Sequence, residues 1–138
     1  MARSFWNDAT ANVLHNMLAR MKQIWNETDG DRRRELIAQT WTEDATYLDP
    51  MLKGDGPSGI DAMIAGVQAQ FPGHQFRRTG AADAHNDRVR FGWELVNVAS
   101  GEPLIAGIDV GQVSPDGRLR SIVGFLDLVP DMSGTGVS

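Results

Sequence analysis

Cysteine is absent from all 138 residues of the chain. This absence excludes disulfide bonds, cysteine-based zinc sites, iron–sulfur clusters and thiol catalysis. The chain also has no run of about 20 apolar residues and no uninterrupted apolar segment typical of a secretion signal near its start. We therefore expect no membrane association and a cytoplasmic location.

Histidines and positive charge are also scarce. None of the three histidines has a second histidine at i+2 or i+4, so no metal site is predicted. Thirteen lysines and arginines oppose eighteen acidic residues, which gives a net charge of −5 and argues against nucleic acid as a partner. Two short basic runs, 32–34 and 77–78, are predicted to be solvated surface.

The composition that remains is that of one folded domain. Hydrophobic residues make up 41% of the chain and charged residues 22%, and the length suits a single core. We expect one domain over residues 1–129. Residues 130–138 contain glycines and no apolar periodicity, which predicts a flexible C-terminal tail.

Apolar spacing divides the chain into a helical half and a strand half. Three- and four-residue spacing predicts helices at about 13–25, 31–41 and 58–71, with Ser58 as the cap of the third. A short extended piece, 44–50, lies between the second and third helices. Strands are predicted at 74–81, 87–99, 104–113 and 119–128, joined by turns that contain glycine and proline. This order favours an α+β fold with helices on one face of an antiparallel sheet.

Three motifs in this order resemble the nuclear transport factor 2-like superfamily, in particular its SnoaL-like and ketosteroid isomerase-like branch. They are DATYLDP (44–50), GPSGIDAM (56–63) and IDVGQVSPDGRLRSIVGFLD (108–127), and the resemblance covers residues 12–129. It implies a cone in which three N-terminal helices pack on a curved antiparallel sheet and leave an apolar cavity. It also implies a homodimer formed through the sheet.

The resemblance implies catalytic roles for two carboxyl groups. Asp49 matches the proton-shuttling carboxylate of ketosteroid isomerases, and Asp109 matches their protonated aspartic acid, which donates a hydrogen bond to an oxyanion. Each has an alternative interpretation. Asp49 precedes a proline and could simply open a turn, and Asp109 could point outward and pair with Arg90 or Arg120. Tyr47, the only tyrosine, lies on the same side of its strand as Asp49 and is a candidate hydrogen-bond donor.

The chain also departs from the enzymes it resembles. Met21 or a near neighbour stands where ketosteroid isomerases carry a catalytic tyrosine, and Gly124 or a neighbour stands where SnoaL cyclases carry an aspartate. Steroid isomerase activity itself is therefore not expected. The residues predicted to line a substrate cavity are Met21, Trp41, Met63, Val67, His74, Trp93 and Phe125.

Two functions remain open from the sequence. The first is a cofactor-independent isomerase or cyclase that transfers protons on a small apolar ketone. The alternative is a noncatalytic domain of the same fold, which either binds an apolar ligand or dimerises as an interaction module.

Overall fold

A computed structural model describes the backbone of residues 8–130 and the side chains from residue 14 onward. The predicted C-terminal tail, apart from Pro130, lies outside the described residues. Within residues 8–130, no helix is long and apolar enough to cross a membrane.

The described chain is α+β, with three helices and one six-stranded sheet. The order of elements is α1 (Asp8–Asn26), α2 (Gly30–Thr40), β1 (Trp41–Leu48), β2 (Lys53–Asp55), α3 (Gly56–Gln70), β3 (His74–His85), β4 (Arg88–Asn97), β5 (Pro103–Val113) and β6 (Leu119–Leu128). Across the sheet the strands are ordered β2-β1-β6-β5-β4-β3. The α+β class is as predicted, although two strands separate α3 from the first two helices.

The sheet is mixed, so the prediction of a wholly antiparallel sheet is wrong in one place. β3 to β6 form an antiparallel meander, but β1 pairs parallel to β6, with Tyr47 opposite Ile122 and Leu48 opposite Val123. β2, predicted as loop, pairs antiparallel with β1. Alternation along a strand indicates which side chains share a face, but it does not indicate the neighbouring strand.

The start of α3 differs from the predicted cap. Asp55 is the N-cap residue, Gly56 takes a φ of +71°, and Pro57 occupies the first turn, where its missing N–H has no cost. Ser58 therefore lies within the helix. α2 is capped by the side chain of Asp29, which accepts hydrogen bonds from two backbone N–H groups of the first turn.

The core lies between the helices and one face of the sheet, called here the inner face. Its largest fully buried side chains come from all three helices and from β1, β4 and β6. They include Met17, Leu18, Ile24, Ile37, Trp41, Ile60, Ile64, Val89, Leu119 and Ile122. The opposite, outer face of the sheet is not covered by these helices.

Candidate active site

A cavity of about 90 Å³ opens between the inner face of the sheet and the helices. Most of its lining is aromatic or aliphatic: Leu18, Met21, Trp25, Met51, Leu52, Val67, Phe71, Phe76, Phe91, Trp93, Leu95, Ile105 and Leu126. The polar lining residues are Lys22, Tyr47, Asp49, Gln70, Arg77, Arg78 and Asp109. An apolar cavity with few polar groups is the usual form of a small-molecule site.

The structure divides the predicted lining residues into two groups. Met21, Val67 and Trp93 line the cavity, whereas Trp41, Met63, His74 and Phe125 do not. Trp41 and Met63 are buried in the core, and His74 packs its ring against Phe71 at the start of β3. Phe125 is 55% exposed, because β6 alternates its side chains and places this one on the outer face.

Asp109 lies on the inner face of β5 and is only 5% exposed. The indole Nε1–H of Trp93 donates a 2.9 Å hydrogen bond to Asp109 Oδ1. The alternative in which Asp109 points outward is therefore wrong; Arg90, one of the two partners it offered, pairs with Asp83 instead. Burial raises the pKa of Asp109 to about 7, the hydrogen bond from Trp93 opposes that rise, and the nearby charge of Asp49 adds to it.

Asp49 stands at the end of β1, where the chain turns toward β2. Its Oδ1 accepts 2.8 Å hydrogen bonds from the backbone N–H groups of Met51 and Leu52. Its Oδ2 accepts a 2.7 Å hydrogen bond from the hydroxyl of Tyr47. Asp49 therefore does organise a turn, as one interpretation held, and it also lines the cavity.

Tyr47 is 2% exposed, and its hydroxyl donates to Asp49. Burial, followed by the charges of Asp109 and Asp49, raises the pKa of the phenol well above its usual value. Tyr47 therefore remains neutral and holds the Asp49 carboxylate in place.

The three groups converge on Gly124 of β6. A Cβ atom at Gly124 would lie 2.7 Å from Asp109 Oδ1, 3.2 Å from Asp49 Cβ and 3.5 Å from the Tyr47 hydroxyl. Asp109 and Gly124 are also directly paired across β5 and β6. The two aspartates therefore lie next to the same position, where the absence of a side chain leaves room for them.

A second glycine makes room for the Trp93 indole. Gly107 lies opposite Trp93 in the sheet, and a Cβ there would meet Trp93 Cζ2 at 2.7 Å and the carbonyl oxygen of Phe125 at 2.5 Å. Trp93 was predicted to line the cavity, whereas its hydrogen bond to Asp109 was not predicted. The glycines on either side of Asp109, Gly107 and Gly111, were the available signal, because they indicate space on that face.

Other polar groups of the site were missed entirely. Lys22, Gln70, Arg77 and Arg78 lie at the cavity, although the last two were predicted to be ordinary solvated surface. Among the residues whose side chains are described, no group of three or more histidine or acidic side chains could hold a metal ion.

Comparison with solved structures identifies similar proteins. A proposed isomerase of the SnoaL-like family from Agrobacterium tumefaciens is 37% identical, with a TM-score of 0.79, over 84% of this chain and 98% of that one. An NTF2-like protein of unknown function from Mesorhizobium loti is 15% identical, with a TM-score of 0.65, over 90% and 98% of the two chains. A proposed SnoaL-like polyketide cyclase from Jannaschia sp. CCS1 is 16% identical, with a TM-score of 0.61, over 80% and 85%.

The other two comparisons found no relative. No protein-family model matches the chain, and no curated protein matches it.

Proposed function

This chain belongs to the SnoaL-like family, and from that premise we propose that it binds a small apolar ketone and transfers a proton on it without a cofactor. The observation that carries this proposal is the convergence of Asp49 and Asp109 at Gly124, within an otherwise apolar cavity. Burial raises the pKa of Asp109 to about 7, so this carboxyl group can keep the proton that a hydrogen-bond donor needs.

In the proposed reaction, Asp49 is the base and Asp109 is the hydrogen-bond donor. The Asp49 carboxylate takes a proton from the carbon beside the carbonyl, and the electron pair of that C–H bond forms the enolate. Asp109 Oδ1 already accepts the Trp93 N–H, so Oδ2 carries the proton that is donated to the enolate oxygen. Such a preorganised donor in a desolvated site stabilises the charge that develops.

The reaction can end in either of two ways. An isomerase returns the proton from Asp49 to a different carbon of the same enolate. A cyclase instead uses the enolate carbon to attack a second carbonyl of the substrate; the π bond of that carbonyl breaks, and the alkoxide that forms takes the proton held by Asp49. Both outcomes leave Asp49 able to exchange its proton, and neither requires an oxidant or a reductant.

The size of the cavity limits how much of the substrate is enclosed. A buried protein cavity of about 150 Å³ accommodates benzene. With about 90 Å³, this cavity encloses at most a small ring, and a larger substrate extends through its mouth.

Binding of 2-naphthol, a neutral mimic of an enolate, should depend on the protonation state of Asp109. Affinity should be constant below about pH 6 and fall about tenfold between pH 6 and pH 8, because Asp109 loses its proton through a pKa of about 7. Asp109→Asn keeps an N–H donor and should remove this pH dependence, whereas Asp109→Ala should weaken binding below about pH 7. Tryptophan fluorescence is a direct readout, since Trp93 contacts Asp109.

The control for this titration is Asp127→Asn, on the exposed end of β6. It should bind 2-naphthol with the pH profile of the unsubstituted protein. An affinity that does not change between pH 6 and pH 8, or an equal decline in Asp109→Asn, would show that Asp109 is not the donor.

An apolar patch on the outer face of the sheet supports the dimer that the family resemblance implies. Leu48, Val123 and Phe125 are between 42% and 55% exposed there, and sheet register places Ile108 and Val110 beside the last two. Contiguous exposed apolar surface of this kind is typical of protein–protein interfaces. We propose that a second copy of the chain covers it.

Phe125→Asp should convert the dimer to a monomer, because a carboxylate buried at the centre of an apolar interface has no partner. Sedimentation velocity at micromolar concentration measures the change. Val98→Asp is the matched control, since Val98 is 58% exposed but lies at the turn after β4. If the unsubstituted protein is already monomeric under these conditions, the dimer proposal is wrong.

A further inference from the structure

The mouth of the cavity carries an arginine whose charge is not neutralised within the described chain. Arg78 lies on β3, opposite Trp93 in the sheet, and is half-buried in the cavity lining. Its neighbour Arg77 pairs with Glu94 at 2.8 Å, and Arg90 pairs with Asp83 at 3.5 Å. Arg78 makes no comparable ion pair or ring contact with any residue whose side chain is described.

Lys22 adds a second positive charge at the same opening. It lies on α1, which also contributes Leu18 and Met21 to the cavity lining, and it too has no ion pair among the described residues. The whole chain carries a net charge of −5, so the positive charge at this opening is opposite in sign to the charge of the chain as a whole. Local positive charge at the entrance of a cavity attracts and orients anionic ligands.

We propose that the substrate carries a carboxylate at the end opposite its ketone, and that Arg78 binds this carboxylate at the mouth of the cavity. The inference rests on the proposed function, because it identifies the class of substrate that the same site takes. A guanidinium can bind a carboxylate with two parallel hydrogen bonds, which fixes orientation as well as position.

The charges of the site permit only one orientation of such a substrate. A carboxylate placed near Gly124 would face the carboxylate of Asp49, and like charges in a desolvated cavity repel strongly. The anionic end must therefore stay at Arg78, which delivers the carbonyl end to the two aspartates.

Sheet geometry sets the length of the substrate. Gly107, Trp93 and Arg78 lie side by side on β5, β4 and β3, and Asp109 is two residues further along β5. Two strand spacings and two residues along a strand place the Cα atoms of Arg78 and Asp109 roughly 12 Å apart. The two side chains shorten that gap, so an apolar span of about two fused rings separates the ketone from the carboxylate.

A pair of probes that differ only in charge tests the inference. 6-Hydroxy-2-naphthoate has a phenol at one end of two fused rings and a carboxylate at the other, and 6-hydroxy-2-naphthamide replaces that carboxylate with a neutral amide. At about pH 6 the carboxylate probe is ionised while Asp109 remains mostly protonated. We expect the carboxylate probe to bind about tenfold more tightly than the amide, because its ion pair with Arg78 is partly desolvated.

Two substitutions separate Arg78 from general electrostatics. Arg78→Gln should abolish the preference for the carboxylate and leave amide affinity within about twofold. Arg90→Gln, which removes one positive charge from an exposed arginine of β4, should preserve the preference. Equal binding of the two probes, or a preference that survives Arg78→Gln, would overturn the inference.

The same titrations separate this inference from the proposed function. If the amide and 2-naphthol bind in an Asp109-dependent manner but the carboxylate has no advantage, only the role of Arg78 fails. If none of the three compounds binds, the apolar ketone site is wrong, and the carboxylate subsite is wrong with it.

Discussion

Asp49→Asn should slow enolisation of a bound ketone by about 10² to 10⁴-fold, the usual contribution of a positioned general base. An asparagine oxygen can still accept the two backbone hydrogen bonds that Oδ1 receives from Met51 and Leu52, so the turn after β1 should persist. The amide cannot take up a proton, and its NH₂ group in place of Oδ2 makes the Tyr47 hydroxyl accept a hydrogen bond instead of donating one. Exchange of the α-protons of 2-tetralone for deuterium, followed by NMR, measures this step whether or not the natural substrate is known.

Ligand binding separates loss of the base from loss of the site. Asp49→Asn should bind 2-naphthol at least as well as the unsubstituted protein, because the variant removes a negative charge beside the phenol oxygen. Asp127→Asn should exchange 2-tetralone at the unsubstituted rate. If Asp49→Asn exchanges as fast as the parent, Asp49 is not the base. If the parent itself does not exceed the buffer rate although it binds 2-naphthol, the noncatalytic ligand-binding alternative is favoured.

Arg33→Ala should lower the free energy of unfolding by about 3–5 kcal/mol, because it leaves the carboxylate of Asp61, whose side chain is only 13% exposed, without its main partner. Arg33 is 5% exposed, and its Nε lies 2.6 Å from Asp61 Oδ1. Its Nη1 also donates to the carbonyl oxygen of Glu27 and to Gln68 Oε1. One side chain thus joins α2 to α3 and to the end of α1, and urea denaturation with an unchanged m-value would measure the loss.

Arg32→Ala is the control for that experiment. Arg32 has the same charge and lies on the same helix, but its side chain is 56% exposed and pairs with Glu27 at the surface. Its removal should cost no more than about 1 kcal/mol. If Arg32→Ala lowered the free energy of unfolding as much as Arg33→Ala, the burial of the Arg33 ion pair would not be the cause of its effect. A second test is Asp61→Ala, which should cost much less in the Arg33→Ala background than alone.

The secondary structure and the family could be predicted from the sequence to a large extent. Helical spacing placed three helices, and alternation placed four strands of the meander close to their observed bounds. Apolar periodicity is a local property of the sequence, so it can be recognised without knowledge of the fold. The resemblance to the SnoaL-like branch, carried by three short motifs, is confirmed by the Agrobacterium relative.

The site could be predicted only in part. Asp49, Asp109 and Tyr47 were selected by motif and alternation, and the structure brings them together at Gly124. Their roles remain predictions. Which side chain hydrogen-bonds to which could not be predicted. The Tyr47 hydroxyl donates to Asp49, two residues away, whereas Asp109 on β5 accepts from Trp93 on the neighbouring strand β4.

Charged residues were the least predictable part. Arg33 and Arg78 stand in short basic runs that resemble solvated surface, yet one is buried at an ion pair and the other lines the cavity. Arg33 shares helical spacing with Leu36 and Ile37, the buried stripe of α2, and this was the one local signal. Arg78 has no comparable signal, because the cavity beside it is formed by residues distant in sequence.

The sequence by itself determined the α+β class, most of the helices and strands, and the choice of Asp49 and Asp109 as candidate site residues. Only the tertiary structure decided that β1 runs parallel to β6, that Phe125 faces outward, and that Trp93 reaches Asp109. The physical reason is the range of the interactions. Periodicity and turn chemistry act over a few residues, whereas register, desolvation and the pairing of buried charges depend on strands and helices that the chain brings together from far apart.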